Sequence, residues 1–178
     1  KKAFLFQLFV IFFVTLFCAL GTWQLYRLQW KLELISEITF GLDSQPIEYS
    51  SSIKKNYQRI NAKGKFDFDK QIYLYSLNEK GKPGYDVVTP FRTNKNENVL
   101  VNRGWINKEL KGNAKINLNT LAEQKIVGLL REIYTPNMFK PDNDIKNNIW
   151  FSINLEDLKE ATGEQFNEFV IFLEDNQV

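Results

Sequence analysis

Two short runs in this 178-residue chain place charged and polar groups where chemistry is possible. The first is Gln24, Arg27 and Lys31, spaced by three and four residues, so that on a helix all three share one face. An amide and two cations on one stripe can present a polar face to a ligand or partner. The plainer reading is an interfacial collar with its cations snorkelling to water. The second run is Val99–Ile106, VLVNRGWI. On a strand, Leu100 and Asn102 share one face, and Val101 and Arg103 share the other. An arginine beside an apolar neighbour means a buried or partner-facing charge, or a bulge at Gly104 that redirects Trp105. Arg103 then either stacks on Trp105 or pairs with an acid, or it holds an anionic group such as a propionate.

What is missing narrows the chemistry further. None of the 178 residues is histidine, which removes the commonest general base, metal ligand and haem ligand together. The single cysteine, Cys18, excludes an internal disulfide framework and a thiolate metal cluster. Met138 lies beside Phe139 in a loop rich in Asn and Pro, where a lone methionine reads as packing rather than a soft metal ligand. No Gly-rich phosphate cradle precedes a helix, and the GxSxG and HExxH patterns are absent. Carboxylates occur singly. No catalytic residue and no metal ligand is therefore assigned, and the expectation is a protein that is not an enzyme.

The elements that position the two runs differ in kind. Ala3 to Tyr26 contains no Asp, Glu, Lys or Arg over 24 residues. At about 1.5 Å per residue this is a rod of roughly 36 Å, enough to cross a hydrocarbon core of about 30 Å. A cleaved signal competes, since Ala19-Leu20-Gly21 offers small residues, but the run exceeds the usual apolar centre of about 7–15 residues. Trp23, Tyr26 and Trp30 follow at helical spacing, as an interfacial aromatic belt would. The expected organisation is a transmembrane anchor over 1–26, a juxtamembrane helix over 27–41 and a β-rich domain over 42–178. Leu25, Leu28, Leu32 and Ile35 carry the helical period, and Gly41 with the DSQP turn at 43–46 is expected to stop it. Lys1 and Lys2 on one side of the run balance Arg27 and Lys31 on the other, so local charge does not orient it. The chain begins at Lys rather than Met, and further residues are expected before it.

From Arg27 onward the formal charge is zero, which argues against a nucleic-acid partner. The segments 57–64, 71–77, 85–92, 98–106 and 124–133 read as strands, with 93–97 as a hairpin tip and 78–84 as a loop broken by Pro83 and Gly84. Pro90 lacks a donor and places its strand at an edge or a bulge. The polar connection 107–119 reads as mobile. Residues 149–153 read as a further strand, and 155–162 as a short helix capped by Asn154 and stopped by Gly163. The segment 168–173 reads as the last strand. The fold class is α+β: an N-terminal transmembrane helix, then one mainly antiparallel β domain, a small barrel or sandwich, with a short late helix.

Three runs in this order resemble the Surfeit locus protein 1 family of cytochrome c oxidase assembly factors. They are Leu20-Gly-Thr-Trp-Gln-Leu-Tyr-Arg27 with Trp30-Lys31 and Ile35, Gly84-Tyr-Asp-Val-Val-Thr-Pro-Phe91, and Val101-Asn-Arg-Gly-Trp-Ile106. Gly64-Lys-Phe66 and Gly128-Leu-Leu-Arg131 fit as weaker positions. The matching motif residues are Gly21, Trp23, Gln24, Arg27, Gly84, Pro90, Phe91, Asn102, Arg103, Gly104 and Trp105. The resemblance implies an inner-membrane protein of bacteria or mitochondria, its domain in the periplasm or intermembrane space. It implies as partners membrane lipid, oxidase subunit I and other oxidase assembly factors. Bacterial members of the family bind haem a, so the resemblance implies that cofactor. It places Gln24, Arg27 and Lys31 on the haem propionate side, with no ligand to the iron identified. It also implies a second membrane helix beyond Val178, carrying a histidine, and the expectation is that the chain is cut before it. A cofactor-free, membrane-tethered scaffold or binding module of the periplasm is the alternative.

Overall fold

The computed structural model describes residues 1–111, 122–134 and 140–174, in two units spanning 1–43 and 44–178. The first unit is one helix, α1, Lys2–Asp43. In hydrocarbon a helix satisfies every backbone group internally, which is what a run of this composition needs. The hydroxyls of Thr15, Thr22 and Thr39 donate to the carbonyls of Ile11, Cys18 and Ile35 one turn back, so they too are satisfied. By length and composition α1 can cross a membrane, and it is the one such helix among the described residues. Gly41 remains helical, contrary to the expected stop, and the helix ends at Asp43. The break comes from Pro46, which pushes the residue before it out of helical conformation.

The second unit holds β1 (Ile47–Glu48), β2 (Arg59–Phe66), β3 (Ile72–Leu77), β4 (Pro83–Thr93), β5 (Asn98–Asn107), β6 (Gln124–Glu132), α2 (Leu155–Thr162) and β7 (Phe169–Leu173). The sheet order is β1-β2-β6-β7-β5-β4-β3, and β2 also pairs with β4 through Gly64, Lys65 and Phe66. That extra pairing closes β2, β6, β7, β5 and β4 into a ring. The fold is thus the small barrel of the two expected alternatives, and its pairings are antiparallel except β1–β2 and β5–β7. The core inside the ring draws on every wall: Ile60 and Phe66 of β2, Phe91 of β4, Val101 of β5, Leu130 of β6 and Ile171 of β7. A second cluster packs outside the sheet, where Leu158 of α2 and Trp150, which precedes that helix, cover Val88, Leu100 and Val170. At about 25 cal/mol per Å² of apolar surface, a side chain of this size contributes about 1.5–3 kcal/mol by burial. Asn154 caps α2 by accepting from the Glu156 N–H at 2.9 Å, and Gly163 ends it with φ 72°, both as expected.

Four expectations need correction. The strand expected from Tyr57 begins at Arg59, because Tyr57 has a left-handed φ of 56°, and it continues to Phe66. Pro83 and Gly84 open β4 instead of ending a loop, because proline is tolerated at the first residue of a strand. Pro90 lies in neither an edge strand nor a bulge. β4 pairs with β3 over Pro83–Val88 and with β2 over Phe91–Thr93, so Pro90 falls in the gap between them. Its carbonyl, which points to that side, accepts from the Asp67 N–H at 2.9 Å, so the missing donor costs no ladder bond. Residues 149–153 form no strand: Trp150 makes a single parallel bridge to β3, donating to the Tyr73 carbonyl and accepting from the Tyr75 N–H. Of the polar connection, Lys108–Leu110 is a 3-10 turn, and 112–119 lie outside the described residues, as does Met138.

Candidate functional site

On α1, Gln24, Arg27 and Lys31 are all exposed, as are Trp23, Tyr26 and Trp30. The Arg27 guanidinium lies 5.6 Å from the centroid of the Trp23 ring, one turn back, and so links the polar stripe to the aromatic one. Among the described residues no ion pair uses Arg27 or Lys31. The chemistry available here is donation to an anion by two cations and an amide, at the water end of an apolar rod.

The domain motifs meet at one irregularity. β4 and β5 are in register from Arg92 to Val88 and again from Asp86, but between these pairs Arg103 and Gly104 stand opposite the single residue Val87. This is the bulge expected at Gly104, whose φ of 128° no side-chain-bearing residue adopts readily. The Asn102 side-chain oxygen accepts from the Gly104 N–H at 3.0 Å and so pins the extra residue. Beyond it Trp105 stands opposite Asp86, with its indole N–H 3.5 Å from the Ser76 carbonyl. The ring passes over Gly84, where an added Cβ would come within 2.3 Å of both Trp105 Cζ2 and the Ile106 carbonyl oxygen. Gly84 is there because the indole is.

The bulge sends its neighbours to opposite sides of the sheet. Arg103 turns to the mouth of the barrel, only 4 % exposed, with its guanidinium 4.9 Å from the Phe68 centroid and 5.5 Å from that of Phe66. Its Nη1 donates to the Gln71 side-chain oxygen at 3.1 Å, which also accepts from the Thr89 hydroxyl. The stacking partners are thus phenylalanines, not Trp105, because the extra residue separates Arg103 from the face that Trp105 occupies. Burial lowers the pKa of Arg103, and the nearby Tyr73 opposes that shift. On the outer side Asp86 is half-buried, and its carboxyl pKa is raised by desolvation, against the opposing pull of Ser76, Asn102 and the Arg131 charge. Sequence reasoning missed Asp86 as a site residue. The available signal was a lone acid in YDVVTPF, on the same strand face as Gly84 and Val88.

Pro90 and Phe91 lie at the β2–β4 closure, with the Phe91 ring 4.8 Å from Phe66, so they complete the same wall that Arg103 leans on. The structure therefore gathers Gly84, Phe91, Asn102, Arg103, Gly104 and Trp105 around one bulge and its barrel mouth. Gly21, Trp23, Gln24, Arg27 and Lys31 belong to the other unit. Among the described residues no group of three or more His, Cys, Asp or Glu is placed to hold a metal.

Comparison with known proteins bears on the whole length. The SURF1 family model matches residues 11–177. A Surfeit locus protein 1 of Takifugu rubripes is 30% identical over 167 residues, covering 82% of this chain and 70% of the relative. A SURF1-like protein of Rickettsia conorii is 31% identical over 177 residues, covering 97% and 72% respectively. The Surfeit locus protein 1 of Gallus gallus is 31% identical over 173 residues, covering 85% and 56%. With most of the membrane-length helix and the whole barrel inside the matched span, the chain belongs to the SURF1 family.

Proposed function

We propose that this protein is a membrane-anchored assembly factor for cytochrome c oxidase, which assists haem a insertion into the catalytic subunit or stabilises that subunit while it is built. The observation that carries the reading is the family match over residues 11–177, which takes in most of the first unit and nearly all of the second. α1 supplies the anchor, with lipid as its first partner, and oxidase subunit I and other assembly factors are the protein partners. The setting is the inner membrane of a bacterium or mitochondrion, with the barrel in the periplasm or intermembrane space. No reaction is assigned to the protein, and no nucleic acid takes part.

Toward haem a, the residues present fit one part of the group. Arg27 and Lys31 supply cations and Gln24 an amide, which suit the propionates at the membrane surface. The sequence contains no histidine, Cys18 lies within the apolar run, and Met138 lies outside the described residues, so no residue here is assigned to the iron. When bound, the haem would supply the redox centre destined for the oxidase. This chain's part is to orient its anionic edge. The second reading is a cofactor-free, membrane-tethered scaffold or binding module of the periplasm, which uses the same anchor and barrel without the propionate contacts.

Complementation of a deletion strain with the full-length gene tests both. Loss of the gene lowers assembled oxidase, and unchanged oxidase would end the assembly reading. Arg27→Ala is expected to lower haem a retained by the purified full-length protein by roughly tenfold, the effect of losing about 1.4 kcal/mol of a charged hydrogen bond. Unchanged haem retention with normal oxidase removes the propionate role and leaves the scaffold.

A further inference from the structure

Residues 144–149, between β6 and α2 in the chain, form a small hairpin that a single cation fastens to the barrel. Asp144 and Ile149 exchange backbone hydrogen bonds at 2.8 and 2.9 Å, and the turn between them closes at Asn148, whose φ is 50°. The Asp144 carboxylate accepts from the Asn147 N–H at 3.1 Å and from the Asn147 side-chain amide at 2.8 Å, so the tip holds its own shape. The hairpin is seated on the start of β3. There the Asn148 side-chain amide donates to the Gln71 carbonyl at 2.7 Å. This is the same Gln71 whose side chain holds Arg103 at the barrel mouth.

The cation is Lys111, which follows the 3-10 turn after β5. Its ammonium lies 5.7 Å from the centroid of the Tyr73 ring and 5.4 Å from that of Tyr85, and it donates to the Asn147 carbonyl at 2.5 Å. Two ring faces and a carbonyl replace the water that an ammonium group gives up. A neutral side chain of the same length gains neither the ring electrostatics nor the donated bond. Burial lowers the pKa of Lys111, and the Asp144 charge at the hairpin opposes that shift. The group is thus drawn partly out of water and balanced from the element that it grips.

We propose that residues 144–149 are a strap and that Lys111 is its catch. The positive charge between the two tyrosines holds the hairpin shut beside the barrel mouth, and its loss lets the hairpin open while the barrel stays folded. The hinge is Trp150. It is 1% exposed, packs with Leu158, and bonds both the Tyr73 carbonyl and the Tyr75 N–H, whereas none of residues 144–149 is fully buried. Opening bares the faces of Tyr73 and Tyr85 and releases the Gln71 carbonyl. The proposal does not depend on the oxidase reading.

Amide hydrogen exchange of the full chain in detergent micelles, read by NMR, tests it. Lys111→Met keeps the length of the side chain and removes the charge, and Lys111→Arg keeps the charge. In Lys111→Met the amides of Asp144, Asn147 and Ile149 are expected to exchange at least about tenfold faster, the effect of losing a charged hydrogen bond and its cation–ring contacts. The hinge amides of Tyr75 and Trp150 and the barrel amides of Leu130 and Ile133 are expected to keep their native rates. In Lys111→Arg the hairpin amides are expected to stay within about threefold of native. Native exchange rates at the hairpin in Lys111→Met overturn the proposal. So does an equal acceleration at Leu130 and Ile133, which makes the lysine a general support of the domain, or an Arg variant as fast as the Met variant.

Discussion

Arg27 and Arg103 both lie over aromatic rings, and the two regions around them use that contact differently. Arg27 leans on Trp23 at 5.6 Å from an exposed helix face and joins no ion pair among the described residues. Arg103 is almost fully buried between Phe66 and Phe68, held by Gln71, and lies beside a bulge that Asn102 pins. A stacked, buried guanidinium is part of the wall it leans on. An exposed one at the end of an apolar rod stabilises little and remains available to a partner. The same pairing of guanidinium and ring therefore builds a wall where it is buried and leaves a cation at the surface where it is exposed.

That contrast can be broken in three places, taken from the largest effect to the smallest. Gly84→Val puts a branched side chain where the Trp105 ring and the Ile106 carbonyl already sit, and is expected to cost at least ~3 kcal/mol of barrel stability in a denaturant melt. A near-neutral result would mean that Trp105 swings away freely and that the bulge is no fixed feature. Arg103→Ala empties the space between two phenylalanines and leaves Gln71 with a lost donor. It is expected to cost about 2–3 kcal/mol, with Arg27→Ala within about 0.5 kcal/mol of the unaltered chain in the same melt. Equal losses would erase the distinction between the two arginines.

The smallest effect concerns Asp86. Its raised carboxyl pKa means that the folded protein holds this proton more tightly than the unfolded chain does. Stability contributed by this group therefore falls as pH rises through the window just above the ordinary value of 3.8, and the cost is fully present at neutral pH. Asp86→Asn is expected to raise the melting midpoint at pH 7 by roughly 2 °C or less, with the gain disappearing at pH values below 3.8. A gain that persists in acid would assign the effect to packing instead of charge.

Much of this was legible in the sequence, for identifiable reasons. The apolar run has one stable backbone solution, and the strands of 71–77, 85–92 and 98–106 announce themselves by branched and aromatic residues between turns. The bulge was legible because Arg103 shares a face with the apolar Val101 and Gly104 follows as a place for an extra residue that redirects Trp105. Reading Trp105 as the stack for Arg103 failed for the same cause, since the bulge turns Trp105 to the other face while Arg103 stays beside Phe66. Pro90 was misplaced because a strand can change partners along its length, which no local pattern encodes. Trp150 and its neighbours have strand composition, yet only Trp150 finds a pairing position on β3. The buried environment of Asp86 depends on Ser76, Asn102 and Arg131, brought together from three other strands.

The place of β7 has a consequence for how the protein is made. This strand lies between β5 and β6, so the barrel wall closes only after residues 169–173 have been synthesised. At about 5–20 residues per second, the span from 133 to 168 takes roughly 2–7 s to appear after β6. For that time β5 and β6 carry unpaired edges, while α1 has already emerged. Open edges accept whatever extended chain comes near. The nascent domain therefore spends seconds as an incomplete sheet, and a short delay late in translation prolongs its exposure to wrong partners more than the same delay anywhere earlier.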